Sequence, residues 1–311
     1  MKRSAQPDRL CLLFLLVIFI IFTIAPFTGT GLSLVFFLLM YVVLSQAQNM
    51  ISGYTQYFAF GHVAFFGVGA YVMAIVWRLW SDIPLALLLA GIVGVLLSLA
   101  LIPLFKLRGI YFGIATYVLN SAISYVIPLL PEEISGGTAG ISLVGAYAPL
   151  SSYYIMLILA MGINLCLYFI LRSKIGLALC SIRDDPEAAS MLGVNPVKYR
   201  SLVWILSAFF AAIAGSIFAW HISYISYVDV FAAYIITNSL VYWVFGGSGT
   251  LTGPIIGTLV IYTIADSLGV ALTNIAAALT GILILIMILS VPLGVVPFIR
   301  RLHPMLERLL A

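Results

Sequence analysis

The chain has 311 residues, of which 64% are hydrophobic and only 8% charged, with a formal net charge of +4. Its mean hydropathy is +1.21. A soluble globular chain carries about a quarter charged residues, so this composition excludes a soluble fold and leaves the membrane class.

In chain order, Met1 to Arg9 is basic and an apolar run from Leu10 to Ala25 follows. That pattern resembles a secretory signal, but Pro26 ends it without a small-x-small cleavage site, and it reads as a retained first span. A spanning helix needs roughly 20 apolar residues. The candidate segments are 10–26, 31–50, 57–77, 84–104, 109–130, 152–171, 201–221, 230–246, 252–269 and 273–297. The expected fold is an all-α, polytopic transmembrane helix bundle of about ten spans, forming a single transmembrane domain over residues 1–311.

An even number of spans puts both termini on one side, and the positive charges test the count. With the N-terminus in the cytoplasm, the inner set is Lys2, Arg3, Arg9, Lys106, Arg108, Arg172, Lys174, Arg183, Lys198, Arg200, Arg300, Arg301 and Arg308. Only Arg78 of the 14 basic residues falls outside, with Asp82, Glu132, Glu133 and Asp229. The protein is expected in the cell (inner) membrane with cytoplasmic termini.

Two glycine-rich tracts interrupt the apolar pattern. One holds Gly53, Gly61, Gly67 and Gly69, with His62 inside it; the other holds Gly246, Gly247, Gly249, Gly253 and Gly257. Glycines at this density let helices approach closely or break, and a break is tolerated only inside protein or beside a water-filled cavity. Gly53, Gly61, His62, Gly67, Asn238, Gly246, Gly247 and Gly249 are therefore the translocation-pathway candidates, on broken or re-entrant segments; plain tight packing is the competing reading for each glycine. Gln46, Gln48, Asn49, Asn120 and Asn164 are further polar residues within spans. Asp266 reads as a solvated helix end, and His62 as a hydrogen-bonded or interfacial residue.

Between the sixth and seventh predicted spans lies a wet loop, about 172–200. Two short helices are predicted there, Ile175 to Arg183 and Pro186 to Leu192. Asp185 is a good N-cap, Pro186 suits the first helical position, and Gly193 can close the last turn in a left-handed conformation. Glu187 in the first turn favours the helix dipole. Ala188 and Ala189 would leave a smooth surface beside exposed Met191 and Leu192. By itself this is an ordinary capped helix-turn; in a basic-flanked cytoplasmic hairpin it is where a soluble motor would grip a membrane channel.

The chain has no G-x-x-x-x-G-K-[ST] and so no P-loop of its own. His62, His221 and His303 are too dispersed for a metal site, and Cys11, Cys166 and Cys180 read as apolar fillers. No enzyme motif, cofactor or nucleic-acid site is called for.

Glu187-Ala188-Ala189 followed by Gly193 fits the EAA-x3-G pattern of ABC importer permeases, and the surrounding GLALCSIRDDPEAASMLGVNPVKYR resembles the branched-chain amino acid permease family, its M-type member in particular. SGYTQYFAFGHVAFFGVGAY, LRGIYFGIATYVLN, GGTAGIS and FGGSGTLTGPIIGTL resemble that family in the same order. The resemblance implies a permease subunit moving branched-chain or related amino acids inward. It implies ABC ATPase subunits, a second homologous permease and an extracytoplasmic substrate-binding protein as partners. Arg183, Asp184, Glu187, Ala188, Ala189 and Gly193 become the ATPase-coupling residues. The same architecture serving urea, amides or another small metabolite is the first alternative. An ion-coupled transporter using Asp266 is the second, and a membrane enzyme the third.

Overall fold

Apolar runs placed in lipid must satisfy their own backbone hydrogen bonds, which favours helices. The computed structural model describes residues 9–27, 31–107, 109–271, 281 and 294–302. Its long helices are α1 (Arg9–Ile24), α2 (Leu32–Gln48), α3 (Val63–Trp80), α4 (Ile83–Ala100) and α5 (Ile110–Val126). After a single turn, α6 (Glu132–Ser135), come α7 (Pro149–Arg172), α8 (Lys174–Asp184), α9 (Pro186–Met191) and α10 (Pro196–Ile222). A second short turn, α11 (Tyr227–Val230), precedes α12 (Ala233–Gly247), α13 (Gly253–Ala271) and α14 (Val295–Leu302). Among the described residues, 8 helical stretches are long and apolar enough to cross a membrane, and Gly253–Ser267 is a shorter apolar helix.

Every predicted span but the last falls on one of these helices. Residues 57–62 are the exception within them: they form an irregular, non-helical stretch with a bend at Phe60 and a turn at His62, and α3 starts only at Val63. Of the predicted 273–297 span, most lies outside the described residues. Its described end is a separate element, because Gly294 at φ +88 opens the new helix α14.

Helix α2 is buried almost all round from Val35 to Gln48 and stands at the centre, against α7, α10, α12 and α13. Helix α3 lies on α10, and here small residues set the distance: a Cβ on Gly69 would strike the Ala212 carbonyl, and one on Gly215 the Phe66 carbonyl. Such backbone-to-backbone approach is how helices associate where lipid removes the hydrophobic drive. The outer faces of α1, α4 and α5 carry exposed Ile20, Leu88 and Tyr111, as befits helices solvated by lipid.

The connections sort to two ends. At one, β1 (Ile141–Ser142) pairs antiparallel with β2 (Tyr224–Ile225), and Trp77 and Trp220 donate to the carbonyls of Val144 and Ala146 at 3.2 and 2.7 Å. Arg78 sits at this end, donating to the Glu132 carbonyl at 3.5 Å. At the other end meet residues 49–62, 101–107, the α8–α9 hairpin and the 248–252 loop, with the Tyr57 and Phe105 rings 5.9 Å apart and Arg183 bonded to Gly249. Lys106, Arg172, Lys174, Arg183, Lys198 and Arg200 belong to this second end, matching the predicted alternation of charge.

Candidate functional site

The hairpin forms as its caps dictate. Ser173 caps α8, its Oγ accepting from Ile175 N–H at 3.1 Å. The Asp185 carboxylate accepts from the N–H groups of Glu187 and Ala188 at 2.8 and 3.0 Å, supplying two donors that the helix start leaves without partners. Helix α9 stops at Gly193, which holds φ +85 with no atom within 4 Å of a Cβ position. Val194 N–H reaches back to the Ala189 carbonyl at 3.0 Å. Burial pushes the Cys180 thiol on α8 above its ordinary value.

Helix α9 is two-faced. Ala188, Met191 and Leu192 point outward together, Met191 at 92% and Leu192 at 83% exposure. Pro186, Glu187 and Ser190 turn instead toward a cavity beside α10. Ala189 is 2% exposed and packs inward, so it is not part of the smooth outer surface expected of it; only Ala188 is. Asp184 and Glu187 are exposed, and Arg183 is half-buried.

Arg183 leads from the hairpin to the glycine tracts. Its Nη1 donates to the Gly249 carbonyl at 3.5 Å. Gly249 has φ +68, and a Cβ there would lie 2.8 Å from the Gly53 carbonyl and against the Arg183 guanidinium. A side chain at Gly53 would in turn lie 2.7 Å from Gly249 N. The two tracts, far apart in the chain, are thus in backbone contact at one point.

A buried amide network holds that contact. Helix α2 runs into a π-turn, Asn49–Gly53, a distortion often found at functional sites. It points Asn49 at the 248–252 loop. Asn49 Oδ1 accepts from Gly249 N–H and from Trp243 Nε1–H, both at 2.9 Å, and its Nδ2 donates to the Thr250 carbonyl at 2.8 Å. Two obligate donors on one side and a carbonyl on the other force this amide orientation. Gln46 Nε2 donates to the Leu251 carbonyl and to Asn164 Oδ1, each at 3.1 Å. Gln48 ties down the irregular stretch after the π-turn, donating to Ser52 Oγ at 2.8 Å and to the Ala59 carbonyl at 2.6 Å.

The other pathway candidates do different work. A Cβ on Gly61 would meet the Thr116 carbonyl, on Gly67 the Phe231 ring and on Gly246 the Gly253 carbonyl, so these three serve close packing. Gly247 is at φ +129 under Pro297. His62 is buried edge-on to Phe65 and Trp204, with ring centroids 5.6 and 5.4 Å away, and its ring lies beside the Ser207 backbone. Asn238 Nδ2 donates to Tyr41 Oη at 3.4 Å, an interhelical bond away from the junction. Asp266 is half-buried in the last turns of α13. The residues that build the junction, Gln46, Asn49 and Asn164, were visible in the sequence only as scattered polar positions.

The family described as "Branched-chain amino acid transport system / permease component" matches residues 30–292. The chain is 25% identical to the high-affinity branched-chain amino acid transport permease LivM of Salmonella typhimurium, over 93% of this chain and 75% of the relative. It is equally 25% identical to LivM of Escherichia coli, over 96% and 77%. Against the probable LivH permease of Methanocaldococcus jannaschii it is 26% identical, over 83% and 88%. No solved structure matches.

Proposed function

The chain belongs to the branched-chain amino acid transport permease family, and from that premise we propose that it is the membrane-spanning subunit of an ABC importer carrying branched-chain or related aliphatic amino acids inward. The α8–α9 hairpin is the observation that carries the reading. Its apolar Met191 and Leu192 stand almost fully exposed at the basic end of the bundle, on a rigidly capped helix. Soluble ATPase subunits grip this knob in the cytoplasm, the side that the charge asymmetry assigns to it. A second, similar permease completes the membrane unit, and an extracytoplasmic binding protein delivers the amino acid.

Arg183, Gly249 and Asn49 give the stroke a route. A shift of the hairpin pulls on the 248–252 loop, which is bonded to the π-turn of α2, and the two glycine tracts move as one. Gly53 and Gly249 are the pathway candidates this supports. The ATPase biases two conformations of the permease by binding one of them better.

Purification of the tagged chain in mild detergent, with mass spectrometry of what accompanies it, tests the reading. An ATPase is expected to co-purify and to be lost when the outward Met191 and Leu192 are both replaced by Asp. A chain that purifies alone and transports in proteoliposomes without ATP would refute it.

A further inference from the structure

Behind the outward face of α9 lies a cavity of about 400 Å³, within the range of small-molecule sites. Its walls include Tyr57, Phe105, Glu187, Ser190, Val197 and Arg200. Arg200 is the unusual member. It is 7% exposed, its guanidinium carbon lies 3.9 Å from the centre of the Tyr57 ring, and its Nε makes no hydrogen bond. Stacking on a ring stabilises a buried cation only in part, and an unsatisfied N–H at such depth is costly. The cavity also opens at the first turn of α10, a helix of 27 residues, where the dipole favours negative charge. Cation and helix end together call for an anion.

The remaining walls narrow the choice. Tyr57, Phe105 and Val197 offer apolar surface, and Glu187 places a carboxylate at the rim. A small zwitterion with an aliphatic body meets each group: its carboxylate faces Arg200, its side chain lies against Phe105 and Val197, and its ammonium is turned to Glu187. We propose that this cavity binds a free aliphatic amino acid from the same compartment that holds the hairpin. The assignment rests on the transport reading for its choice of ligand, which is then the transported product.

Binding there would have a consequence for coupling. The cavity is walled on one side by α9 and on the other by Phe105, Gly109 and α10. An occupant bridges the hairpin to the body of the bundle and opposes their relative movement, so a rising internal pool would slow further import. Because Glu187 and Ser190 face the cavity while Met191 and Leu192 face away, the ligand and the ATPase use opposite faces of one short helix.

Equilibrium binding of radiolabelled L-leucine to the purified full chain, with any subunits that accompany it, tests the site. Leucinol lacks the carboxylate and inorganic phosphate lacks the apolar body; neither should displace the label, whereas unlabelled leucine should. Arg200→Gln removes the cation, and Val197→Trp fills the cavity from an exposed position that tolerates bulk. Both are expected to weaken binding by about fivefold or more. Absence of saturable binding, displacement by phosphate or leucinol, or binding that survives Val197→Trp overturns the proposal, the last placing leucine elsewhere in the protein. ATP-driven uptake by the reconstituted complex is read separately. Its absence counts against the transport reading and leaves the binding result standing.

Discussion

Replacing Asn49 by Ala removes one side chain and strands three buried groups: the Gly249 N–H, the Trp243 indole N–H and the Thr250 carbonyl. A buried donor or acceptor left without a partner costs about 1–3 kcal/mol. Gly249 is half-buried, and water entering the vacated polar space recovers part of the loss, which leaves roughly 3–6 kcal/mol for the variant. For a chain of this size that is a fall in apparent melting temperature on the order of 10 °C. Thermal unfolding of the detergent-purified protein, followed by a thiol-reactive or fluorescent reporter, measures it. Asn164→Ala is the internal comparison, since it removes one of the two acceptors of Gln46 Nε2 and leaves the other, and should cost less, about 1–2 kcal/mol. A melting temperature for Asn49→Ala equal to that of the parent, or higher than that of Asn164→Ala, would refute the claim that Asn49 organises the junction.

Arg183→Leu breaks one long bond at a half-buried site, so the melting temperature should hardly move. Uptake should nevertheless fall while ATP hydrolysis by the assembled complex continues, and parallel loss of both activities would deny Arg183 a linking role. Gly193→Asp gives up a left-handed glycine in open space, at a local cost of about 1–2 kcal/mol, and the protein should still reach the membrane. ATP-coupled uptake should vanish; normal uptake would count heavily against the docking face. Gly215→Leu drives a side chain into the Phe66 backbone and should abolish recovery of folded protein on gel filtration, whereas Gly193→Leu should not.

Much of this architecture was legible because lipid imposes blunt rules. Length of apolar run and sign of flanking charge located α1 to α5, α7, α10, α12 and α13 and sorted their ends. The hairpin was readable from Asp185, Pro186 and Gly193, whose cap chemistry is local. The stretch 57–62 was misread as helix because Tyr57, Phe58 and Phe60 look like span residues; Gln56 at φ 55 and the bond from Gln48 to the Ala59 carbonyl hold it out of the helix instead. The junction was hidden for a different reason. Gln46 and Asn49 pair chiefly with the backbone of residues 249–251, and a carbonyl or an N–H carries no letter in the sequence. Which face of α9 would turn inward was equally unreadable, since the placement of Ala189 and Glu187 depends on α10 and the 101–107 segment packing beside them.

The Asn49–Thr250 bond spans 201 positions of chain. A ribosome adding about 5–20 residues per second reaches Thr250 roughly 10–40 s after Asn49. Through that interval α2 carries two amides with no loop to receive them, and lipid is a poor host for them. The membrane-insertion machinery must therefore hold this end of α2 in contact with water until α12 and the loop beyond it arrive. Helix α12 and the 248–252 loop act as the latch of the assembly: before them, a set of inserted helices that quality control can still extract; after them, a closed junction.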